Sequence, residues 1–335
     1  MTDANREGRN GIRSGRALLG VSKKVPGWPG LDDTHVTVAG RRVRILCAEG
    51  DRGRKGEPQL LLHGLGGSSA TWVEVMAGLA EHGPVVAVDL PGFGRTELHE
   101  DDACTVPSYV AFVIALADAL GWDRFALHGN SMGGLIAALV AARHPDRVSR
   151  LVLVSPALPP RSPVRLLVPT RATVGGMLPV ALSSAAAVAL GAVRLAGPEL
   201  SERRNRELLK LIFPDPDGVD RGLLRLMAAD LTAREGPDPS ERRRAFLSAL
   251  ASIAGIWVDP RGVWRAIDRI AAPTLVLGGT RDALVPAQTL RAVMAKRSDW
   301  VGHVLDDRRH ALMLEDPDQY LELVAAFRSG KERAA

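Results

Sequence analysis

The sequence predicts an α/β protein, built on a mostly parallel, doubly wound sheet of about eight strands with a helical cap inserted after the sixth strand. Three features of the chain predict it. Short, continuously apolar runs alternate with helical periodicity through residues 34–155, and the rhythm resumes after residue 272. Runs of that kind are strands covered by helices on both faces. Between the two parts, roughly 115 residues offer only helical patterns, and so long an insertion is seldom an unstructured loop. The third feature is a tight glycine-flanked turn that leaves one apolar strand and opens a helix.

Taken in order, residues 1–33 read as an N-terminal tail, charged at first and then broken by Pro26, Gly27, Pro29 and Gly30. Thr34–Val38 and Arg42–Cys47 form paired strands, with Gly40 marking the turn. A polar loop, Asp51–Pro58, leads to a strand at Gln59–His63 and a helix at Ala70–His82. Val85–Asp89 is a strand followed by the Pro91–Gly94 turn, and Ser108–Leu120 is an amphipathic helix stopped by Gly121. Phe125–Gly129 is a strand, Met132–Arg143 a helix ending before Pro145, and Leu151–Ser155 a strand. Downstream, Thr274–Gly278 and Val301–Leu305 are strands, while Ala287–Lys296 and Pro317–Phe327 are helices. The expected plan is a core of residues 34–155 and 272–330, with residues 156–271 as the helical cap. Proline-rich breaks at Pro156–Pro163, Pro214–Pro216 and Pro237–Pro239 punctuate the cap. Its arginine clusters, Arg203, Arg204, Arg206 and Arg242, Arg243, Arg244, fit solvated helix faces.

Composition narrows the class. An apolar fraction of 46% and a charged fraction of 24% are those of a globular protein. Lys and Arg number 43 against 38 Asp and Glu, a mild excess of +5 unaccompanied by any recognition motif, so nucleic-acid binding is not expected. Cys47 and Cys104 make neither a disulfide framework nor a metal-type spacing, and no cofactor or metal is expected. Met1–Gly15 is polar and lacks the apolar run of a secretory signal, so a cytoplasmic location is expected. Ala172–Val193 carries no charge over 22 positions, long enough to span a bilayer. Gly175, Gly176, Pro179 and the Ser183–Ser184 pair argue against that, and a span would divide the core across a membrane. A buried or lipid-facing helix is expected instead, which leaves room for peripheral membrane contact through the cap.

The chemistry gathers around Ser131. Phe125–Gly129 is an apolar strand entering Gly129-Asn130-Ser131-Met132-Gly133, followed by an alanine-rich helix. A serine on a strand-to-helix turn is held in strained geometry, and neighbours without a Cβ let strand and helix approach. The helix N-terminus then presents free N–H groups to the reacting centre. A hydroxyl at neutral pH needs a base held in one tautomer. Of the eight histidines, His63, His128 and His303 lie in or at the ends of strands and fit structural roles, whereas His35, His82, His99 and His144 fall in turns or at helix ends. His310 lies in the polar loop after Val301–Leu305, before the last helix, and is the candidate base. Asp282, in the glycine-containing loop after Thr274–Gly278, is the candidate acid. Asp306 and Asp307 share a loop with His310, poor geometry for a carboxylate that must hold the ring from behind. The oxyanion donors expected are the backbone N–H groups of Met132 and of Leu65, the latter in the loop Leu65-Gly66-Gly67-Ser68-Ser69.

These motifs together resemble the α/β-hydrolase superfamily. The matching runs are His63-Gly64-Leu65-Gly66-Gly67, Asp89-Leu90-Pro91-Gly92-Phe93-Gly94, Gly129-Asn130-Ser131-Met132-Gly133, Gly279-Thr280-Arg281-Asp282 and His310, in the family's order of Ser, Asp and His. The resemblance implies a serine hydrolase with Ser131 as nucleophile, His310 as base and Asp282 as the acid that orients it. Ser131 argues against relatives that resemble epoxide hydrolases and haloalkane dehalogenases, which use aspartate there. The elbow is similar to that of hydrolases cleaving carbon–carbon bonds of ring-fission products. However, Ala311 follows His310 where those enzymes usually have tryptophan, and the oxyanion loop lacks their Gly-Pro-Gly stretch. Monoacylglycerol-lipase-like and general esterase relatives are similar too, and the apolar cap favours a greasy acyl group. The expectation is therefore hydrolysis of a lipophilic carboxylic ester as the small-molecule substrate. Carbon–carbon bond hydrolysis and acyl transfer are the alternatives within the enzyme class, and a ligand-binding scaffold is the alternative outside it.

Overall fold

The computed structural model describes residues 20–48, 56–159, 219–233 and 235–331. Nine strands form one sheet: β1 Lys23–Val25, β2 Trp28–Val38, β3 Arg41–Ala48, β4 Gln59–Leu62, β5 Val85–Val88, β6 Phe125–Asn130, β7 Val148–Val154, β8 Thr274–Gly279 and β9 Val301–Leu305. Their order is β1-β2-β3-β5-β4-β6-β7-β8-β9. From β5 to β9 every pairing is parallel, while β1, β2 and β3 join as an antiparallel ribbon. The sheet thus begins at Lys23, not at Thr34, and residues 23–25 and 28–33 are strand rather than tail. Backbone pairing with β3 extends β2 through Leu31, whose side chain is buried.

The helices among the described residues are α1 Val73–Ala80, α2 Val106–Ala119, α3 Met132–Arg143, α4 Arg221–Thr232, α5 Pro239–Val258, α6 Arg261–Asp268, α7 Ala287–Lys296, α8 Leu312–Glu315 and α9 Pro317–Arg328. Two apolar clusters cover the two faces of the sheet. One packs α2, α3 and α6 over Leu60, Leu62, Leu127 and Leu153. The other packs α1 and α9 over Leu61, Ala87, Val152 and Leu275, with Trp72 fully buried. Alternate residues of each central strand therefore serve opposite cores, which explains why these strands read as unbroken apolar runs.

The described part of the insertion is helical, with sharp starts. Asp220 caps α4 by accepting from Leu223 N–H, and Asp238 caps α5 in a capping box closed by Glu241. Helix α6 departs from the expected plan. Val263, Trp264 and Ile267 are buried against the α3 layer, so this stretch belongs with the core rather than with a cap ending at residue 271. The uncharged stretch Ala172–Val193 lies outside the described residues. Among those described, no helix is long and apolar enough to cross a membrane.

A buried ionic cluster ties the insertion to the core. Arg44 on β3, fully enclosed, meets Asp33 (2.9 Å), Asp89 (3.2 Å) and Asp230 of α4 (3.1 Å), and donates to Ser69 Oγ (3.0 Å). Arg95 lies 3.0 Å from the other Asp230 oxygen, and Ser68 Oγ donates to Asp230 at 2.7 Å. Burial and the neighbouring Asp89 charge push the Asp230 carboxyl up. Burial acts on Asp89 in the same sense, but Arg44 overrides it and holds Asp89 below the usual range.

Candidate active site

Strands β6, β8 and β9 are parallel neighbours or near-neighbours, so their carboxyl ends fall on one edge of the sheet. Ser131 follows β6 directly, Asp282 follows β8, and His310 follows β9. In a parallel sheet that edge is where loops converge to build a site.

Ser131 sits at φ 54° and ψ −116°, a positive-φ conformation that a residue with a Cβ rarely adopts. The flanking glycines are what make the turn possible. A Cβ at Gly129 would run into the Gly133 carbonyl, and one at Gly133 would strike the Leu62 carbonyl and lie 2.6 Å from that of His63. The serine's own backbone is anchored on both sides: its N–H donates to Val154 (3.0 Å), and its carbonyl accepts from Leu135 (3.1 Å) and Ala157 (2.9 Å). Ser131 remains half-buried.

His310 and Asp282 are brought together. His310 Nδ1 lies 2.9 and 3.1 Å from the two Asp282 oxygens, both residues being buried. Asp282 Oδ1 also accepts from Leu284 N–H (2.8 Å) and Val285 N–H (2.9 Å), so the carboxylate's orientation is fixed by its own turn. Burial alone would lower the imidazole's pKa and raise the carboxyl's. Their mutual attraction and hydrogen bond reverse both, leaving His310 above 6.5 and Asp282 below 3.8. Asp307 is not near this pair: it is exposed, at 2.8 Å from Arg281.

The loop that carries Leu65 lies against the elbow. A Cβ on Gly64 would lie 3.1 Å from Ser131 Cβ, and Gly67 N–H closes a turn on the Gly64 carbonyl (3.1 Å). His63 braces it. Its Nε2 accepts from Leu90 N–H (3.0 Å), which leaves the proton on Nδ1 to donate to the Gly64 carbonyl (2.7 Å). Burial lowers the His63 pKa, in keeping with a neutral ring. His128 is likewise structural: buried, pushed down to about 3 by desolvation, and 2.6 Å from Tyr320 OH. Met132, at the start of α3, is fully buried. Among the described residues no cluster of His, Cys, Asp and Glu is arranged to hold a metal.

Two side chains that sequence reasoning did not single out close the site. Asn130 Nδ2 donates to the carbonyls of Val154 (3.2 Å) and His310 (3.0 Å), joining the elbow to the histidine loop. Glu315, in α8, accepts from Arg309 and Ala311 N–H. The elbow motif contained Asn130, but its partner lies 180 residues away and leaves no local trace.

Chemically, the arrangement offers a strained half-buried hydroxyl, an imidazole held by a buried carboxylate, and a glycine-rich loop against the hydroxyl-bearing turn. A family model for the alpha/beta hydrolase fold matches residues 58–317. The chain is 29% identical over 288 residues to 2-hydroxymuconate semialdehyde hydrolase of Pseudomonas sp. (strain CF600), covering 84% of this chain and 89% of that one. Among solved structures, a bacterial membrane phospholipase A is 26% identical with a TM-score of 0.64, over 91% of this chain and 87% of that one. The 2-hydroxy-6-oxo-6-phenylhexa-2,4-dienoate hydrolase of Rhodococcus sp. strain RHA1 has a TM-score of 0.67 over 89% and 99%. At 22% identity this is a likeness of fold.

Proposed function

The chain belongs to the alpha/beta hydrolase fold family, and from that membership we propose a serine hydrolase in which Ser131 is the nucleophile, His310 the general base and Asp282 its orienting acid. The substrate we propose is a carboxylic ester with an apolar acyl group. His310 Nε2 takes the Ser131 proton as Oγ attacks the carbonyl carbon, and the N–H groups of Leu65 and Met132 receive the developing oxyanion. The imidazolium then protonates the leaving alcohol. Water, deprotonated by the same nitrogen, releases the acid and restores Ser131.

The observation that carries this reading is the buried His310–Asp282 pair, 2.9 Å apart, on the same sheet edge as a serine forced to positive φ. A scaffold protein has no use for a strained serine and a base with raised pKa. Ester chemistry is supported by the 26% identity to a phospholipase A across nearly the whole chain and by Ala311 beside the base. Carbon–carbon bond hydrolysis is the second reading. It is favoured by the semialdehyde hydrolase at 29% identity and by the Gly-Asn-Ser-Met-Gly elbow.

A fluorophosphonate probe should label the wild type and leave Ser131→Ala unlabelled; labelling of both would remove Ser131 from the role of nucleophile. p-Nitrophenyl esters of graded chain length, run beside a 2-hydroxy-6-oxo-dienoate ring-fission product, separate the two substrate readings. Each buried methylene adds about 0.8 kcal/mol, so kcat/KM should climb from acetyl towards octanoyl. Turnover of the dienoate with only trace esterase activity would favour the second reading instead.

A further inference from the structure

Four backbone or ring groups fix His310, and two of the three residues that supply their partners, Asn130 and Glu315, have no part in the triad. Asp282 holds Nδ1, and Asn130 holds the His310 carbonyl at 3.0 Å. Glu315 takes the flanking amides: Oε2 accepts from Arg309 N–H at 2.7 Å, and Oε1 from Ala311 N–H at 2.9 Å. Next to it, Asp316 pairs with Arg308 and caps α9 by accepting from Gln319 N–H at 3.1 Å. Consecutive carboxylates therefore clamp residues 308–311 from below. The one-turn helix α8 exists to bring Glu315 back beneath the loop it follows, its N–H returning to the Ala311 carbonyl at 3.0 Å.

We infer that Glu315 is a positioning residue for His310, whose carboxylate both holds the peptide groups on either side of the base and favours the imidazolium with a second negative charge. The inference rests on the proposed role of His310 as base. Two features separate it from simple capping of a short helix. Both Glu315 oxygens are occupied by N–H donors, so a proton on either would displace one, and the carboxylate form is the one the geometry accommodates. Its charge also acts on His310 in the same sense as that of Asp282, while burial opposes both. Asp282 faces the pair from the imidazole side and His310 faces Glu315; burial, with the Asp282 charge, holds the Glu315 carboxyl above the usual range against the two amides and the His310 charge. A serine hydrolase gains from this because the imidazolium exists in both tetrahedral steps, and a charge already in place costs no reorganisation.

The test follows the His310 ring by NMR as a function of pH in the full chain, which needs no substrate. In the wild type His310 should titrate above 6.5. Glu315→Gln, close in shape but neutral, should lower that titration by about half a unit or more, and Glu315→Asp should restore most of it. An unchanged titration in Glu315→Gln would overturn the electrostatic role and leave only a structural one. Should that variant not fold, the labelled Glu315 carboxyl in the wild type decides instead. Its resonance should step at the pH where His310 titrates and lose the step in His310→Ala; a flat response would refute the coupling. Fluorophosphonate labelling of Ser131 in the same samples tests the serine-hydrolase reading separately.

Discussion

Replacing Asp282 by Asn tests the triad most sharply, because the geometry dictates which way the new amide must face. Asp282 Oδ1 accepts two backbone N–H groups, from Leu284 at 2.8 Å and Val285 at 2.9 Å. The asparagine oxygen must stay there, since turning the NH2 group towards two N–H donors would leave three donors facing one another. The NH2 then occupies the Oδ2 position, 2.9 Å from His310 Nδ1, and donates to it. The imidazole proton is forced onto Nε2, the nitrogen that accepts from Ser131 in the proposed mechanism. On this logic kcat should fall by roughly three to four orders of magnitude with KM little changed. At about 1.36 kcal/mol per tenfold, that is about 4 to 5.5 kcal/mol of lost transition-state stabilisation. Initial rates on a p-nitrophenyl ester at neutral pH measure it, with circular dichroism to show that the fold persists. Retention of more than a tenth of wild-type kcat, or an equal loss in Asp306→Asn or Asp307→Asn, would refute the reasoning.

Two further outcomes follow from the charges. If His310 is the base proposed, it works only when neutral, and because Asp282 and Glu315 raise its pKa above 6.5 against the pull of burial, kcat/KM should rise with pH along a limb centred above 6.5; a limb centred below about 6 would contradict the pairing. Arg44→Leu leaves buried Asp89 without a paired cation and Asp33 and Asp230 with Arg95 alone, and should cost about 3–5 kcal/mol in urea unfolding at pH 7. Asp230→Asn should cost less, because neutralising a carboxyl whose ionisation burial and Asp89 already oppose relieves that repulsion. A cost for Asp230→Asn equal to that of Arg44→Leu would show the repulsion to be negligible.

Where the sequence was informative, the reason was local sterics or local periodicity. The parallel strands could be read because burial on both faces makes them continuously apolar, as in Leu60-Leu61-Leu62 and Leu151-Val152-Leu153-Val154. The elbow could be read because a Cβ at Gly129 or Gly133 has nowhere to go. What escaped depended on distant partners. Lys23–Val25 is three residues with two lysines, a strand only by virtue of β2 beside it. Arg44 reads as an exposed strand residue until Asp230, 186 positions on, meets it in the interior. Helix α6 carries its own signal, Val263, Trp264 and Ile267 on one side and Arg261 and Arg265 on the other. Its place in the chain assigned it to the insertion, while that apolar side assigns it to α3. Glu315 resembles any acidic residue ahead of a helix, and its task is visible only once the chain has turned back on Arg309.

The described helices of the insertion reach the loops around the site through side chains, and that gives them influence over it without any shared chemistry. Asp230 of α4 holds Ser68, at the end of the loop carrying Leu65. A Cβ at Gly66 would meet the Phe246 ring of α5 at 3.4 Å, so that helix bears on the middle of the same loop. Eleven residues further along α5, about 16 Å at 1.5 Å per residue, Trp257 Nε1 donates to the Ala157 carbonyl (3.0 Å). Ala157 in turn donates to the Ser131 carbonyl (2.9 Å). Ala249 and Ile253, buried between Phe246 and Trp257 at helical spacing, complete one apolar side of α5. A single helix thus rests on the glycine-rich loop at one end and on the elbow's neighbour at the other. Its tilt cannot change without disturbing at least one of them. Any contact that shifts α5 would therefore be felt at Ser131 and Leu65. Through such contacts, remote contacts to a substrate can raise kcat rather than only lower KM.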